Sequence, residues 1–183
     1  MKVSIAGAAG RMGKELLLKA FGDQSIGKCK LIGGIVSSSS PTLNLDLGKI
    51  AGLDEVQIKA SSDFESAAKH SDVIIDFINP DSSLRHARIC AKIKKSFVCG
   101  TTGFNQNQLD ELNELAKHTQ ILWSPNMSLG INLLIKLARQ AAAKLGEHVD
   151  ISIHEAHHRH KKDSPSGTAL LLGQNIEEVN KSK

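Results

Sequence analysis

The sequence predicts an α/β protein: a Rossmann-like parallel sheet with helices on both faces, followed by an incomplete α+β domain. Three observations predict it. Short apolar runs alternate with longer stretches of helical spacing, the first run ends on a glycine-rich turn, and the pattern changes after Trp123.

The runs Val3–Ala6, Leu31–Val36, Val56–Ala60, Val73–Phe77, Phe97–Cys99 and Ile121–Trp123 each read as a strand. Between them lie helical patterns; from Asn107 to His118, for example, Leu109, Leu112 and Leu115 share one face. Strands alternating with helices imply βαβ units. The insertion Ser37–Gly48, with Pro41 and four consecutive serines, reads as a surface loop. Ser124-Pro125-Asn126 is a turn that divides a dinucleotide-binding domain, 1–125, from the start of a second, truncated domain, 126–183. There, Ile131 to Leu145 is a helix stopped by Gly146, a residue suited to the left-handed conformation. Val149 to Glu155 alternates strictly, so it reads as a strand with one buried face. A last helix starts at Pro165-Ser166, where proline suits the first turn and hydroxyls can cap it. One strand cannot make a sheet. It pairs with the first domain or another chain, or its partners lie in sequence missing here.

Of 183 residues, 40% are hydrophobic and 23% charged, as in ordinary soluble proteins. Aromatics are 3%, with no Tyr, so the core must be built from Leu, Ile, Val and Ala. The net charge of +4 points towards nucleic acid, but the basic residues are dispersed and stacking aromatics are scarce. No nucleic-acid partner is expected. Cys29, Cys90 and Cys99 lack close spacing and read as reduced, buried thiols. The N-terminus is too short in apolar residues for a signal peptide, and no run is long enough to cross a bilayer. The expected location is the cytoplasm, without a membrane partner.

The loop Gly7-Ala8-Ala9-Gly10-Arg11-Met12-Gly13 lies between a strand and a helix. Glycines let backbone approach a pyrophosphate, and the helix start presents free N–H groups. The spacing G-x-x-G-x-x-G departs from the common G-x-G-x-x-G, and a tight turn without ligand is the competing reading. Strand two runs into Ser37, not the carboxylate that often binds ribose hydroxyls. Hydroxyls there can donate to a 2′-phosphate, which leans towards NADPH over NADH.

Downstream, His154, His157, His158 and His160 crowd together with Arg159, Lys161 and Lys162. A zinc site is one reading, but the interleaved cations oppose a dication, so no metal is expected. A solvated basic loop is another. The third explains the most residues: histidine exchanges a proton near neutrality, Lys161 adds a proton or counter-charge, and the Ser166-Gly167-Thr168 helix start offers N–H groups to an anion. That combination suits a small dicarboxylate.

Five motifs then occur in order: the glycine loop, Asp76-Phe77-Ile78-Asn79-Pro80, Gly100-Thr101-Thr102-Gly103-Phe104, Asn126-Met127-Ser128-Leu129-Gly130-Ile131-Asn132, and Glu155-Ala156-His157-His158-Arg159-His160-Lys161-Lys162-Asp163-Ser164-Pro165-Ser166-Gly167-Thr168-Ala169. On these the sequence resembles the 4-hydroxy-tetrahydrodipicolinate reductase (dihydrodipicolinate reductase) family. The resemblance implies NADPH- or NADH-dependent reduction of 4-hydroxy-tetrahydrodipicolinate to tetrahydrodipicolinate with loss of water, in diaminopimelate and lysine biosynthesis. It implies that His157 is a proton donor/acceptor, Lys161 a proton donor, and His158, Gly167 and Thr168 substrate contacts. Gly7, Ala8, Ala9, Gly10, Arg11, Met12, Gly100, Thr101, Thr102, Ser124, Pro125, Asn126 and Met127 would contact nucleotide. Ser37 stands where many members carry an acidic ribose-binding residue, so the NADH/NADPH preference stays open. Full-length members form homotetramers through further strands of the substrate-binding domain, which this chain does not reach. The alternative is therefore a non-catalytic dinucleotide-binding fragment.

Overall fold

The computed structural model describes residues 1–22, 29–157 and 165–181. They divide into two units, Met1–Ser124 and Pro125–Lys183.

The first unit is a six-stranded parallel sheet, order β3-β2-β1-β4-β5-β6. The strands are β1 (Lys2–Ala6), β2 (Lys30–Ile35), β3 (Ala60–Ser61), β4 (Val73–Asp76), β5 (Ser96–Cys99) and β6 (Ile121–Trp123). Between them run α1 (Arg11–Gly22), α2 (Leu47–Ala51), α3 (Phe64–His70), α4 (Pro80–Lys92) and α5 (Gln106–Leu115). Because side chains alternate across a strand, each strand feeds two cores. Ile74 and Phe97 pack with Phe64 of α3, Leu84 and Cys90 of α4, and Leu112 of α5. On the other face Val3, Ile5 and Val73 pack with Leu17 of α1 and Leu47 and Ile50 of α2. The expected sheet with helices on both faces is thus present.

Short polar side chains start the helices. Asp63, Asn79 and Asn105 accept from the backbone N–H of Ser66, Ser82 and Gln108, satisfying donors a helix start leaves free. Gln108 reaches back to the Asn105 N–H at 3.0 Å, completing a capping box.

The α1/α2 face is covered unevenly. A hollow of about 1020 Å³ opens there towards the N-terminal ends of the strands, lined by Leu16, Val73, Ile75, Val98 and Leu122 among others. Leu122 is 57% exposed. Parallel sheets are ordinarily buried on both faces, but the described residues leave this face half-bare.

Three sequence expectations fail in this unit. Val56–Ala60 is not a strand; only Ala60 enters the sheet. Gln57 takes φ +59°, which breaks extension, and the Asp46 carboxylate takes up the Val56 and Ile58 N–H groups at 3.0 and 3.2 Å. Those bonds hold the Asp46 carboxyl below its usual pKa, the Val56 amide contributing most. The Ser37–Gly48 loop also ends differently from expectation, because Leu47 and Gly48 are already the buried start of α2. Of the cysteines, Cys90 and Cys99 are buried as expected, whereas Cys29 is exposed.

The second unit holds α6 (Leu129–Leu145), a 3-10 turn (Gly146–His148) and α7 (Gly167–Lys181). Gly146 does end α6 with positive φ, but at φ 60°, ψ −140° it is not left-handed helical. Val149 to Glu155 pairs with no strand among the described residues, and Val149, Ile151 and Ile153 are 39–44% exposed instead of alternating in and out. A strand exists only through ladder bonds to a neighbour, and no described strand neighbours this one. Arg139 crosses from α6 to α7, donating to Asn175 Oδ1 at 2.8 Å and Glu178 Oε2 at 2.9 Å.

Candidate functional site

In the first unit the C-terminal ends of the parallel strands share one edge, and the residues singled out in that part of the sequence lie along it: Gly7 to Met12 after β1, Ser37 near the end of β2, Gly100 to Thr102 after β5, and Ser124 after β6. The glycine loop is shaped by close approach. Gly7 has φ +80°, and a Cβ on it would meet Ile78 Cγ2 at 2.7 Å and Phe77 O at 2.8 Å. A Cβ on Gly13 would stand 2.1 Å from Gly7 O, so only glycine lets α1 settle onto the loop. The Gly7 and Ala8 N–H groups donate to Ile35 O at 2.9 and 3.0 Å, tying the loop to β2. Helix geometry leaves the Arg11, Met12 and Gly13 N–H groups without intrahelical acceptors, and no acidic residue sits in that first turn. A cradle that a Cβ would fill, at a helix start free of carboxylates, fits a pyrophosphate. Ser37, Ser38 and Ser39 are exposed, with Ser37 Oγ 3.0 Å from Ser39 Oγ.

Thr101 gathers the neighbouring segments. Its carbonyl accepts from Trp123 Nε1 at 3.0 Å, and its hydroxyl accepts from the Ile78 N–H at 3.0 Å. Beneath it lies Asp76, the last residue of β4 and fully buried. Ser83 Oγ donates to Asp76 Oδ1 at 2.5 Å, and Thr101 Oγ1 lies 2.8 Å from Ser83 Oγ and 3.3 Å from Asp76 Oδ1. His86 Nδ1 stands 2.8 Å from Asp76 Oδ2, its ring stacked on Phe64 at 3.6 Å. Sequence reasoning quoted Asp76 within a motif but gave it no role, and it missed Ser83 and His86. The available signal was polar residues seven and ten positions after a buried strand end, on what becomes the facing side of one helix.

In the second unit, Ser128 caps α6 and Asn132 Nδ2 donates to Asn126 O at 3.0 Å and Ser128 O at 2.8 Å. Asn126 Nδ2 then donates to Thr168 Oγ1 at 2.9 Å. The structure thus joins Asn126, expected at the nucleotide, to Thr168, expected at the substrate. Ser166 Oγ accepts from the Ala169 N–H at 3.1 Å and starts α7. The Glu155 carboxylate accepts from the Ser166 N–H at 2.7 Å and from Ser166 Oγ, and lies 3.0 Å from His157 Nε2. These contacts, the Ser166 hydroxyl first, hold the Glu155 carboxyl down at about 2. One acidic side chain therefore links His157 to the helix start that carries Gly167 and Thr168. Gly167 is exposed, and nothing lies within 4 Å of where its Cβ would be. Pro125 is half-buried and Met127 exposed. His158 and Lys161 lie outside the described residues, as does His160, on which the zinc reading also drew.

Comparison with known proteins adds three findings. Residues 1–127 match the family model for dihydrodipicolinate reductase, N-terminus, and residues 130–183 match that for its C-terminus. A protein of Colwellia psychrerythraea named 4-hydroxy-tetrahydrodipicolinate reductase is 42% identical over 176 residues, which is 96% of this chain but 64% of that protein. The chain therefore spans less than two thirds of that relative. Among solved structures, the dipicolinate-bound dihydrodipicolinate reductase of Paenisporosarcina sp. TG-14 matches with TM-score 0.78 and 29% identity, over 100% of this chain and 68% of that one. An amine dehydrogenase of Mycobacterium smegmatis matches at TM-score 0.56 and 16% identity, over 100% of this chain and 61% of that one, a likeness of fold alone. With both family models matched in sequence order, the chain belongs to the dihydrodipicolinate reductase family.

Proposed function

We propose that this protein reduces 4-hydroxy-tetrahydrodipicolinate to tetrahydrodipicolinate with loss of water, in diaminopimelate and lysine biosynthesis. NADPH or NADH, when bound, supplies the hydride. The observation that carries the reading is family membership, supported by a phosphate cradle in the first unit and a carboxylate-held histidine in the second.

This chain's own residues would act as follows. The Gly7–Met12 loop receives the pyrophosphate, with Ser37 near the adenosine ribose and Gly100, Thr101, Thr102, Ser124, Pro125, Asn126 and Met127 around the remainder. Ring carboxylates are received by the N–H groups at Gly167 and Thr168 and by His158. The dipicolinate named with the Paenisporosarcina structure is such a ring dicarboxylate, which supports the substrate class. Glu155, 3.0 Å from His157 Nε2, fixes that ring's orientation. His157 exchanges a proton with the ring and Lys161 donates one. The enzyme acts in the cytoplasm as a homotetramer.

The test is turnover. The dicarboxylate should be required for NAD(P)H oxidation, and His157→Ala or Lys161→Ala should lower kcat by about 10²–10⁴. Full activity in the double variant overturns the site. The exposed Val149–Ile153 segment favours a second reading for this 183-residue chain alone, a nucleotide binder without turnover. Binding by calorimetry with no oxidation in the same sample supports that one.

A further inference from the structure

The strand order β3-β2-β1-β4-β5-β6 divides the sheet into two mononucleotide halves about β1. The glycine loop and Ser37 belong to the β1–β3 half. The β4–β6 half ends in the Phe77–Pro80 and Gly100–Thr102 loops, so the nicotinamide end of a dinucleotide falls there. Burying a carboxylate is costly, and an apolar residue would serve the core as well. Yet Asp76 is 0% exposed, and its carboxylate reaches Ser83 and His86 of α4 and the Thr101 hydroxyl at once.

We propose that Asp76, acting through Ser83 and braced by His86, is a positioning residue that fixes the Thr101 loop in the shape that receives the nicotinamide half of the dinucleotide. The inference rests on the nucleotide site argued above. Ser83 gives its only hydroxyl proton to Asp76 Oδ1, at 2.5 Å, so the Thr101 hydroxyl donates into the same pair, 2.8 Å from Ser83 Oγ and 3.3 Å from Asp76 Oδ1. Thr101 Oγ1 is then oriented to accept the Ile78 N–H at 3.0 Å, which joins the loop after β4 to the loop after β5. Asp76 Oδ2 is held by His86 Nδ1, and that ring cannot swing freely because it lies 4° from parallel on Phe64. Trp123 closes the set from β6 through the Thr101 carbonyl. A satisfied buried network of this kind selects one loop conformation over its neighbours.

The test compares two ligands on the full 183-residue chain by calorimetry. One is NADPH or NADH; the other is the matching 2′-phospho-ADP-ribose or ADP-ribose, which lacks the nicotinamide ring. Asp76→Ala should weaken the intact dinucleotide about tenfold or more and the truncated ligand by less than about twofold. His86→Leu should repeat that selective loss, and His86→Asn, whose amide nitrogen can stand near the place of Nδ1, should recover it. Equal weakening of both ligands means a merely structural role and overturns the proposal. So does parental binding in His86→Leu, which decides the matter even where Asp76→Ala does not fold. If the unaltered chain binds neither ligand, the nucleotide site itself fails, and the proposal falls with it by a visibly different result.

Discussion

Gly100→Ala puts a single methyl group at the tightest point of the β4–β6 half. Its Cβ would stand 1.9 Å from Phe77 Cε1, 2.3 Å from Cζ and 2.7 Å from Cδ1. Ordinary contact begins near 3.4 Å, so the ring must retreat by roughly 1.5 Å. The backbone has little freedom to yield, because the Gly100 N–H donates to Asp76 O at 2.9 Å. Overpacking of this kind costs about 1–3 kcal/mol. For a unit of this size each kcal/mol moves Tm by about 4 °C, giving a fall of about 4–12 °C. The assay is thermal unfolding followed by circular dichroism, with Phe77→Leu and the double variant alongside. Phe77→Leu removes Cε1 and Cζ, the two nearest ring atoms, so the double variant should be more stable than the sum of the single losses by about 1 kcal/mol or more. A Tm within about 1 °C of the parent for Gly100→Ala, or strict additivity, refutes the packing argument.

Three further outcomes are expected. Glu155 is held at about 2 against an ordinary 4.5, so its stabilisation is complete above pH 4.5 and lost as pH falls towards 2. The Ser166 amide signal in NMR should move across that window, and Glu155→Gln should abolish the movement; a midpoint at the ordinary carboxylate value contradicts the contacts. Burial pushes the Cys90 thiol up to about 12 and also raises that of Cys99, whereas Cys29 is exposed. Ellman's reagent should therefore label Cys29 within the native chain and the other two only in denaturant; prompt labelling of all three contradicts the burial. Asp46→Ala should speed hydrogen exchange at Val56 and Ile58 while leaving β1 amides protected, and unchanged exchange would show that the carboxylate is not what holds that loop.

The alternation that names the fold was legible because it repeats: β1, β2, β4, β5 and β6 each read as an apolar run, with helical patterns between several of them. The two expected strands that are absent among the described residues are absent for different reasons. Val56–Ala60 has strand composition, but Asp46, ten residues earlier, captures its amides before a neighbouring strand can. Val149–Glu155 alternates well, yet alternation describes a face and cannot supply a partner. At the site, Gly7 and Gly13 were readable from spacing, since close backbone approach leaves a glycine behind. Asp76 was not, because a carboxylate ending a strand carries no local sign that a serine and a histidine one helix later will enclose it. His157 and Ser166 were both picked out by residue type. That Glu155 links them depends on the chain folding back over eleven positions.

The half-bare face of the sheet has a practical consequence for anyone handling this chain. Apolar dyes such as ANS are used to report loss of packing, on the premise that native domains offer them nowhere to settle. Among the described residues the fold presents an apolar hollow of about 1020 Å³, so fluorescence from a well-folded sample of this 183-residue chain should be bright before any heating. A dye-based melting curve would then begin high and change little, and a stable preparation would be discarded as misfolded. Circular dichroism in the near ultraviolet, through Trp123 packed edge-on against Phe104 at 6.1 Å, is the safer witness.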